Sequence, residues 1–396
     1  MQYVQSCVTP ALSAVRGTFG AMGIDTVLIQ QIQGIPSLMA IFGAIAVGIL
    51  ERFLKKKTIL IIAMVLMFGG AIGGAVPETV EGFYLLLASR VMLGLGRGMI
   101  FPMASSFIAD LFTGKKRDQL MSFKTAVGSG SGILFQMVGG ALAVLSWRYA
   151  FFGMLIGVPI AIMIIAWLKE PEVKAAGTTA DGKKGNPLSS ISGLGWLIII
   201  LAGLWNIFQF TYFTSASLAI ANMGLGDTAY AGTVTSSETL GSMAGAMCYG
   251  AFIKGRVGGF DLAIGIALEA LGFFLLCTWI DPMGYYINSI IQGFGFGMFN
   301  PALILQTVKV LPREGATLGL SLLAASQNGF QFFSAIVLSW IAPLFGLAGH
   351  PLMNWEIAWR GALVYFVLVL VLLLIGKAKN PSLIAGLDKP APKKAE

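Results

Sequence analysis

GLGRGMIFP, Gly94 to Pro102, returns as GFGFGMFNP, Gly293 to Pro301, with Gly94, Gly96, Gly98, Met99 and Pro102 all matched at a displacement of 199 residues. Agreement at five of nine positions is improbable by chance, so the chain reads as two copies of one unit. Both strings stand in long apolar surroundings, where small residues at close spacing let helices approach one another. Only the first string carries a permanent charge, Arg97, near its middle.

Further matches lie to either side. MGIDT (Met22 to Thr26) answers MGLGDT (Met223 to Thr228), and Gly48 answers Gly250, with Asp25, Thr26 and Gly48 all displaced by 202. Trp147-Arg148 recurs as Trp359-Arg360. The 396 residues are 56% hydrophobic and 11% charged, with a mean hydropathy of +0.82, which places the chain among polytopic membrane proteins. Runs of about 17 to 25 apolar residues cross the hydrocarbon core as helices, and strand alternation is absent. Spans read at 1–16, 27–50, 58–76, 82–108, 120–145, 150–168, 194–216, 229–253, 260–279, 284–308, 317–346 and 358–376. The expected fold is therefore all-α, twelve transmembrane helices in two pseudo-symmetric six-helix bundles. Residues 1–168 form the first half, 169–192 a polar linker, 193–377 the second half and 378–396 a basic tail. Displacing span seven back by 202 puts its start before Met1, so the first helix reads as truncated and further residues are expected upstream.

Charge placement supports the same count, because Lys and Arg flanking membrane helices favour the cytoplasmic side. With both termini inside, the basic residues cluster in cytoplasmic segments such as Arg52 to Lys57 and Lys115 to Lys124. Among the 26 basic residues only Arg16, Arg90, Arg97, Arg148 and Arg360 fall elsewhere. The net charge of +8 is accounted for as a topology signal, with no call for a nucleic-acid partner. A multi-pass protein of the plasma or inner membrane, in contact with the lipid bilayer and working as a monomer, is expected.

ERFLKKK (Glu51 to Lys57) resembles the loop motif between helices two and three of the major facilitator superfamily, with Leu54 in place of a glycine. RVMLGLGRG (Arg90 to Gly98) resembles that family's helix-four motif, and the twelve-helix, two-repeat pattern is similar to it over essentially the whole chain. In GSGSGILFQMVGG (Gly128 to Gly140), Gly139 and Gly140 match the paired glycines of the family's antiporters, whereas Phe135-Gln136 stands where they carry Gly-Pro. The resemblance implies alternating access about a site near the midplane. It also implies that helices one, four, seven and ten line the central cavity, with Arg97 pointing into it, and that Glu51, Arg52, Arg90, Asp110, Gly139 and Gly140 serve gating or motif roles.

A charge at the bilayer centre costs about 2.5–3.5 kcal/mol on insertion scales, so lipid exposure of Arg97 is disfavoured. A guanidinium is always charged and presents donors in a plane, which suits a carboxylate or phosphate. Arg97 is thus either a substrate anchor or half of an internal ion pair, with Glu238 its most evident partner. Burial of a carboxyl group favours its protonated form, which makes Glu238 and Glu269 candidates for coupling to H+. Polar residues in the presumed lining helices complete a substrate site: Asn206, Gln209, Gln292, Asn300 and Gln327. Interhelical hydrogen bonding is the plainer role for each. One histidine, His350, and three separated cysteines build no metal centre or catalytic triad, and no phosphate-binding loop is present. No cofactor and no enzymatic activity are expected. The reading is a secondary transporter of a small organic anion, proton-coupled or exchanging. Proton-coupled efflux of cationic drugs is the alternative, and a non-transporting receptor on a transporter fold the minor one.

Overall fold

The computed structural model describes residues 3–51, 53–168, 191, 193–253, 256–257, 260–310 and 316–379. Helical segments follow one another throughout, with no strand among the described residues. A short turn Tyr3–Ser6 and a 3-10 turn Thr9–Ala11 lead into α1 (Leu12–Gly20). Then come α2 (Thr26–Leu50), α3 (Lys56–Gly69, prolonged by the 3-10 turn Gly70–Gly74), α4 (Val80–Leu111) and α5 (Gly114–Leu145). Two turns, Trp147–Phe152 and Gly153–Gly157, precede α6 (Val158–Trp167). The second half repeats the order with α7 (Gly193–Asn222), α8 (Thr228–Cys248), α9 (Asp261–Thr278), α10 (Pro282–Val310), α11 (Ala316–Ile341) and α12 (Met353–Lys379). The linker and the tail lie outside the described residues, apart from Ile191 and the last two residues of α12.

Among the described residues, nine helices are long and apolar enough to cross a membrane. α1, α8 and α10 are not among them. α8 shows why: Thr235, Ser236, Ser237 and Glu238 are all buried among neighbouring helices, so the segment is not required to be lipid-compatible all round. Several helices run longer than the hydropathy pattern suggests. Arg148, expected in a connection, lies inside a helical segment instead, and like Arg16 and Arg360 it finds partners near the segment end. Arg16 donates to Asn222 (2.8 Å), Arg148 to the carbonyls of Gly74 (3.1 Å) and Val76 (2.7 Å), and Arg360 pairs with Glu356 (2.9 Å).

The repeat read in the sequence is a repeat of packing. Asp25 caps α2 by accepting from Val27 N (2.6 Å), and Asp227, its counterpart, caps α8 by accepting from Tyr230 N (2.9 Å). The turns before these caps use Gly23 and Gly224, both at positive φ (85° and 64°), a conformation that glycine adopts without strain. In α4, Gly94 and Gly98 lie against the backbone of Pro36 and Ala40 on α2, and Gly96 against Ala63 and Met67 on α3. In α10, Gly293 and Gly297 lie against Glu238 and Ser242 on α8, and Gly295 against Gly265 and Glu269 on α9. Every one of those partners is its counterpart displaced by 202. A side chain at any of the six glycines would run into a neighbouring backbone, so α4 and α10 are each clamped between two helices by the same device.

Each half carries its own apolar core. Phe19, Phe83, Trp147 and Phe151 centre the first, and Trp205, Phe273, Phe299 and Trp355 centre clusters of the second. The two halves meet along a polar seam. Ser217 Oγ bonds to Ser13 Oγ (2.8 Å) and to the Pro10 carbonyl (2.6 Å), and Gln30 Nε2 donates to Ser215 Oγ (2.9 Å). Thr228 Oγ1 donates to the Gly140 carbonyl (3.1 Å), Ser236 Oγ to that of Ile133 (3.0 Å), and Thr239 Oγ1 to Gln136 Oε1 (3.3 Å). These bonds run from the end of the molecule opposite the 169–192 linker to about mid-helix.

Candidate functional site

The clamping of α4 determines which way Arg97 faces. With Gly94 and Gly98 on α2 and Gly96 on α3, Arg97 is left pointing to the amino-terminal segment, where its guanidinium donates to Gln5 Oε1. Gln5 in turn donates to the Gln33 carbonyl (3.0 Å), and Gln33 donates to Thr9 Oγ1 (3.0 Å). Arg97 is partly buried and makes no ion pair with a carboxylate among the described residues. One and two turns further along the same face stand Phe101, 64% exposed, and Ser105. Lys124, which the sequence reading counts with a basic cytoplasmic flank, lies within α5 and turns back onto this face. Its ammonium donates to Ser105 Oγ (2.5 Å) and sits 4.4 Å from the centre of the Phe101 ring.

The acids gather in the other half. Glu238 is 2% exposed, and its Oε2 accepts from Thr239 (3.2 Å). It does not meet Arg97: with Gly293 seated on its backbone, it is held inside the second half. Glu269 is 0% exposed, accepts from Trp205 Nε1 (3.2 Å) through Oε1, and has no hydrogen-bond partner for Oε2 among the described residues. Gln292 is also 0% exposed, with neither polar atom partnered among the described residues, and packs on Gly272 of α9. Here the repeat is informative, because Met67 and Leu93 hold the equivalent positions of Glu269 and Gln292 in the first half. Identical packing is thus made with apolar side chains in one copy and with polar ones in the other.

The remaining expected lining residues divide by partner. Asn206 donates to the Ala202 carbonyl (2.9 Å) and accepts from Gln331 (3.0 Å), tying α7 to α11. Gln209 is buried, with its Nε2 unpartnered among the described residues. Asn300 and Gln327 are partly buried. The structure brings Asn206 to Gln331 and Glu269 to Trp205, but gathers neither group around Arg97.

Asp110 pairs with Lys56 (2.6 Å), whose ammonium also bonds to Ser106 (2.7 Å), so the linker ends of α3 and α4 are tied within one half. Glu51 is exposed at the end of α2, and Arg52 lies outside the described residues. Arg90, 1% exposed, donates to the Gly70 carbonyl and to Ser89 (3.3 Å) and stacks 4.5 Å over the Phe151 ring, which makes it a tie within the first half. Gly139 admits the backbone of Cys7 and Gly140 that of Thr228, so these two glycines bring α5 against the amino-terminal segment and against α8 of the other half.

The model of the Major Facilitator Superfamily matches residues 1–261. Multidrug resistance protein 1 of Bacillus subtilis (strain 168) is 24% identical over 267 residues, 67% of this chain and 67% of the relative. The quinolone resistance protein NorA of Staphylococcus aureus is 28% identical over 154 residues, 39% of this chain and 38% of the relative. Among solved structures, a mutant form of the nucleoside transporter NupG superposes with a TM-score of 0.74 at 15% identity, over 93% of this chain and 97% of that one. A D-xylose–proton symporter superposes with a TM-score of 0.66 at 17% identity, over 92% and 94% of the two chains. With a family model covering most of its length and a fold shared with solved transporters, the chain belongs to the Major Facilitator Superfamily and is a polytopic membrane transporter rather than an enzyme.

Proposed function

We propose that the protein is a secondary transporter of a small organic anion, with Arg97 as the anchor for its carboxylate or phosphate. One observation carries the reading: Arg97 is a partly buried cation on a face of α4 that its glycines leave free of α2 and α3, and the group it meets is the neutral amide oxygen of Gln5. A neutral acceptor orients a guanidinium without cancelling its charge, and an incoming anion supplies the charge-assisted bonds that Gln5 does not. The halves, 1–168 and 193–377, rock about this level. The seam closes the end opposite the linker, and the positive-inside pattern makes the linker end cytoplasmic, with both termini inside the plasma or inner membrane. Glu269, with no cation beside it, and Glu238 take the coupling proton.

Binding energy from charge-assisted hydrogen bonds is about 1.5–3 kcal/mol, so Arg97→Ala weakens anion binding by roughly 10- to 150-fold. The test is a thermal-shift screen of purified wild type and Arg97→Ala against organic anions and cationic drugs, because a ligand that binds the folded state stabilises it by mass action. Anions that stabilise the wild type and leave a folded Arg97→Ala unmoved support the reading.

Two observations favour a second one, proton-coupled efflux of cations. The buried carboxyl groups Glu238 and Glu269 form no ion pair among the described residues, and the relatives in Bacillus subtilis and Staphylococcus aureus are named as drug-resistance proteins. Stabilisation by cations that survives Arg97→Ala and disappears in Glu238→Gln selects it.

A further inference from the structure

Among the described residues, Lys56, Arg148 and Arg360 are matched with carboxylates (Asp110, Glu78 and Glu356), whereas Arg16 in α1 meets the amide oxygen of Asn222 and Lys116 at the start of α5 the ring of Phe112. Lys124 and Arg97 are matched with neutral groups only, a hydroxyl and a ring for the one and an amide for the other. Arg90 has no carboxylate either, but it is enclosed by its acceptors and by Phe151, which leaves no approach for a ligand. Arg97 and Lys124 flank the exposed ring of Phe101, and Arg97, Phe101 and Ser105 recur every fourth residue on one face of α4, spanning about 12 Å of helix.

The repeat supplies an internal control. Displacing these positions by 199 gives Phe296, Asn300 and Ile304, so the clamped packing of α4 and α10 is kept while the stripe of cation, ring and hydroxyl exists in one copy only. The stripe is therefore not something the packing requires. It also lies on the linker-side part of the helix, beyond the seam bonds that reach to about mid-helix.

We propose that Lys124, Ser105 and Phe101 form a second anion subsite, and that with Arg97 they select an elongated aromatic dianion: one acidic group on Arg97, its ring against Phe101, the second acidic group on Lys124. This rests on the assignment of Arg97 as an anion anchor. Lys124 lies nearer the linker end than Arg97 does. Ser105 holds the ammonium beside the ring, and Phe101 gives a flat surface that a saturated chain would use less well.

The experiment measures dissociation constants of three probes, benzoate, succinate and a biphenyl dicarboxylate with its acids at opposite ends. The full-length protein is titrated in detergent as wild type, Arg97→Ala, Lys124→Gln, Lys124→Arg and Phe101→Ala. The wild type is expected to bind the biphenyl dicarboxylate at least tenfold more tightly than benzoate. Lys124→Gln and Phe101→Ala should erase that advantage, Lys124→Gln leaving benzoate unchanged, Lys124→Arg should keep the advantage, and Arg97→Ala should weaken all probes. If Arg97→Ala weakens every probe while Lys124→Gln changes none, or weakens benzoate as much as the dianion, the subsite is overturned and the anchor stands. If Arg97→Ala changes nothing, or if no probe binds the wild type, the anchor falls and the proposal with it. Lys124→Arg also controls for folding, since it keeps the charge at the same place.

Discussion

At the scale of single residues, the difference between the two copies of the repeat separates what packing requires from what it does not. Glu269 occupies the position that Met67 fills in the first half, between the same pair of helices and against the equivalent glycine. A buried polar atom without a partner costs about 1–3 kcal/mol, and an apolar side chain at this position removes the one at Glu269 Oε2. Glu269→Met is therefore expected to raise the melting temperature while abolishing proton-driven accumulation, and Glu269→Gln to keep the fold with the same loss of coupling. Thermal melts, with uptake driven by a pH gradient set against exchange without one, check both. Destabilisation by Glu269→Met, or accumulation that survives Glu269→Gln, would remove Glu269 from the coupling role. At Arg97 the charge alone is not enough, because a planar fork and a point charge bind a carboxylate differently. Arg97→Lys is expected to recover only part of the affinity lost in Arg97→Ala, read by direct titration with benzoate.

At the scale of elements, the glycines of α4 and α10 set helix-to-helix distance. A Cβ at Gly98 would meet the backbone of Ala40 and one at Gly297 that of Ser242, neither of which can move aside as a flexible side chain does. Overpacking costs about 1–3 kcal/mol even where side chains can adjust, so Gly98→Val and Gly297→Val are each expected to lower stability by at least that much. Gly48 is the matched control, since nothing lies within 4 Å of a Cβ built there. Gly48→Ala is expected to change stability by less than about 1 kcal/mol, in the stabilising direction, through helix propensity. Stability of detergent-solubilised variants measures all three. Equal effects at Gly48 and Gly98 would show that close approach is not what the glycines supply.

On the scale of the whole molecule, the halves are joined from mid-helix to the end opposite the linker, and that seam is polar. Ser13 and Ser217 face each other across it with hydroxyl oxygens 2.8 Å apart. With Cys7, Cys248 and Cys277 replaced, Ser13→Cys combined with Ser217→Cys is expected to cross-link on oxidation and stop transport, with reduction restoring it. Undiminished transport by the oxidised double variant would mean that the seam does not open during the cycle. The charge distribution is asymmetric at this scale as well. The proposed anchoring cations Arg97 and Lys124 lie in the first half, and the buried carboxyl groups Glu238 and Glu269 in the second. An anchor and a coupling group in opposite halves sense one another only as the halves move, which gives substrate and proton a mechanical route of communication.

Composition and periodicity by themselves determined that the chain is all-helical and crosses the membrane many times, because only lipid-compatible runs with internally satisfied backbones are stable there. The displacement of 199 to 202 residues determined the repeat, down to the matched caps at Asp25 and Asp227. Burial of Glu269 was also legible, as a carboxyl group mid-way along an apolar run. What tertiary structure decided is which polar groups meet. Arg97 and Glu238 look like partners along the chain, yet the close glycine contacts rotate α4 toward Gln5 and hold Glu238 in the opposite half. Lys124 read as a flanking charge, and only the packing of α5 on α4 turned it onto Phe101 and Ser105. A sequence records the depth of a residue through its neighbours along the helix, whereas the direction it faces depends on contacts with helices far away in the chain.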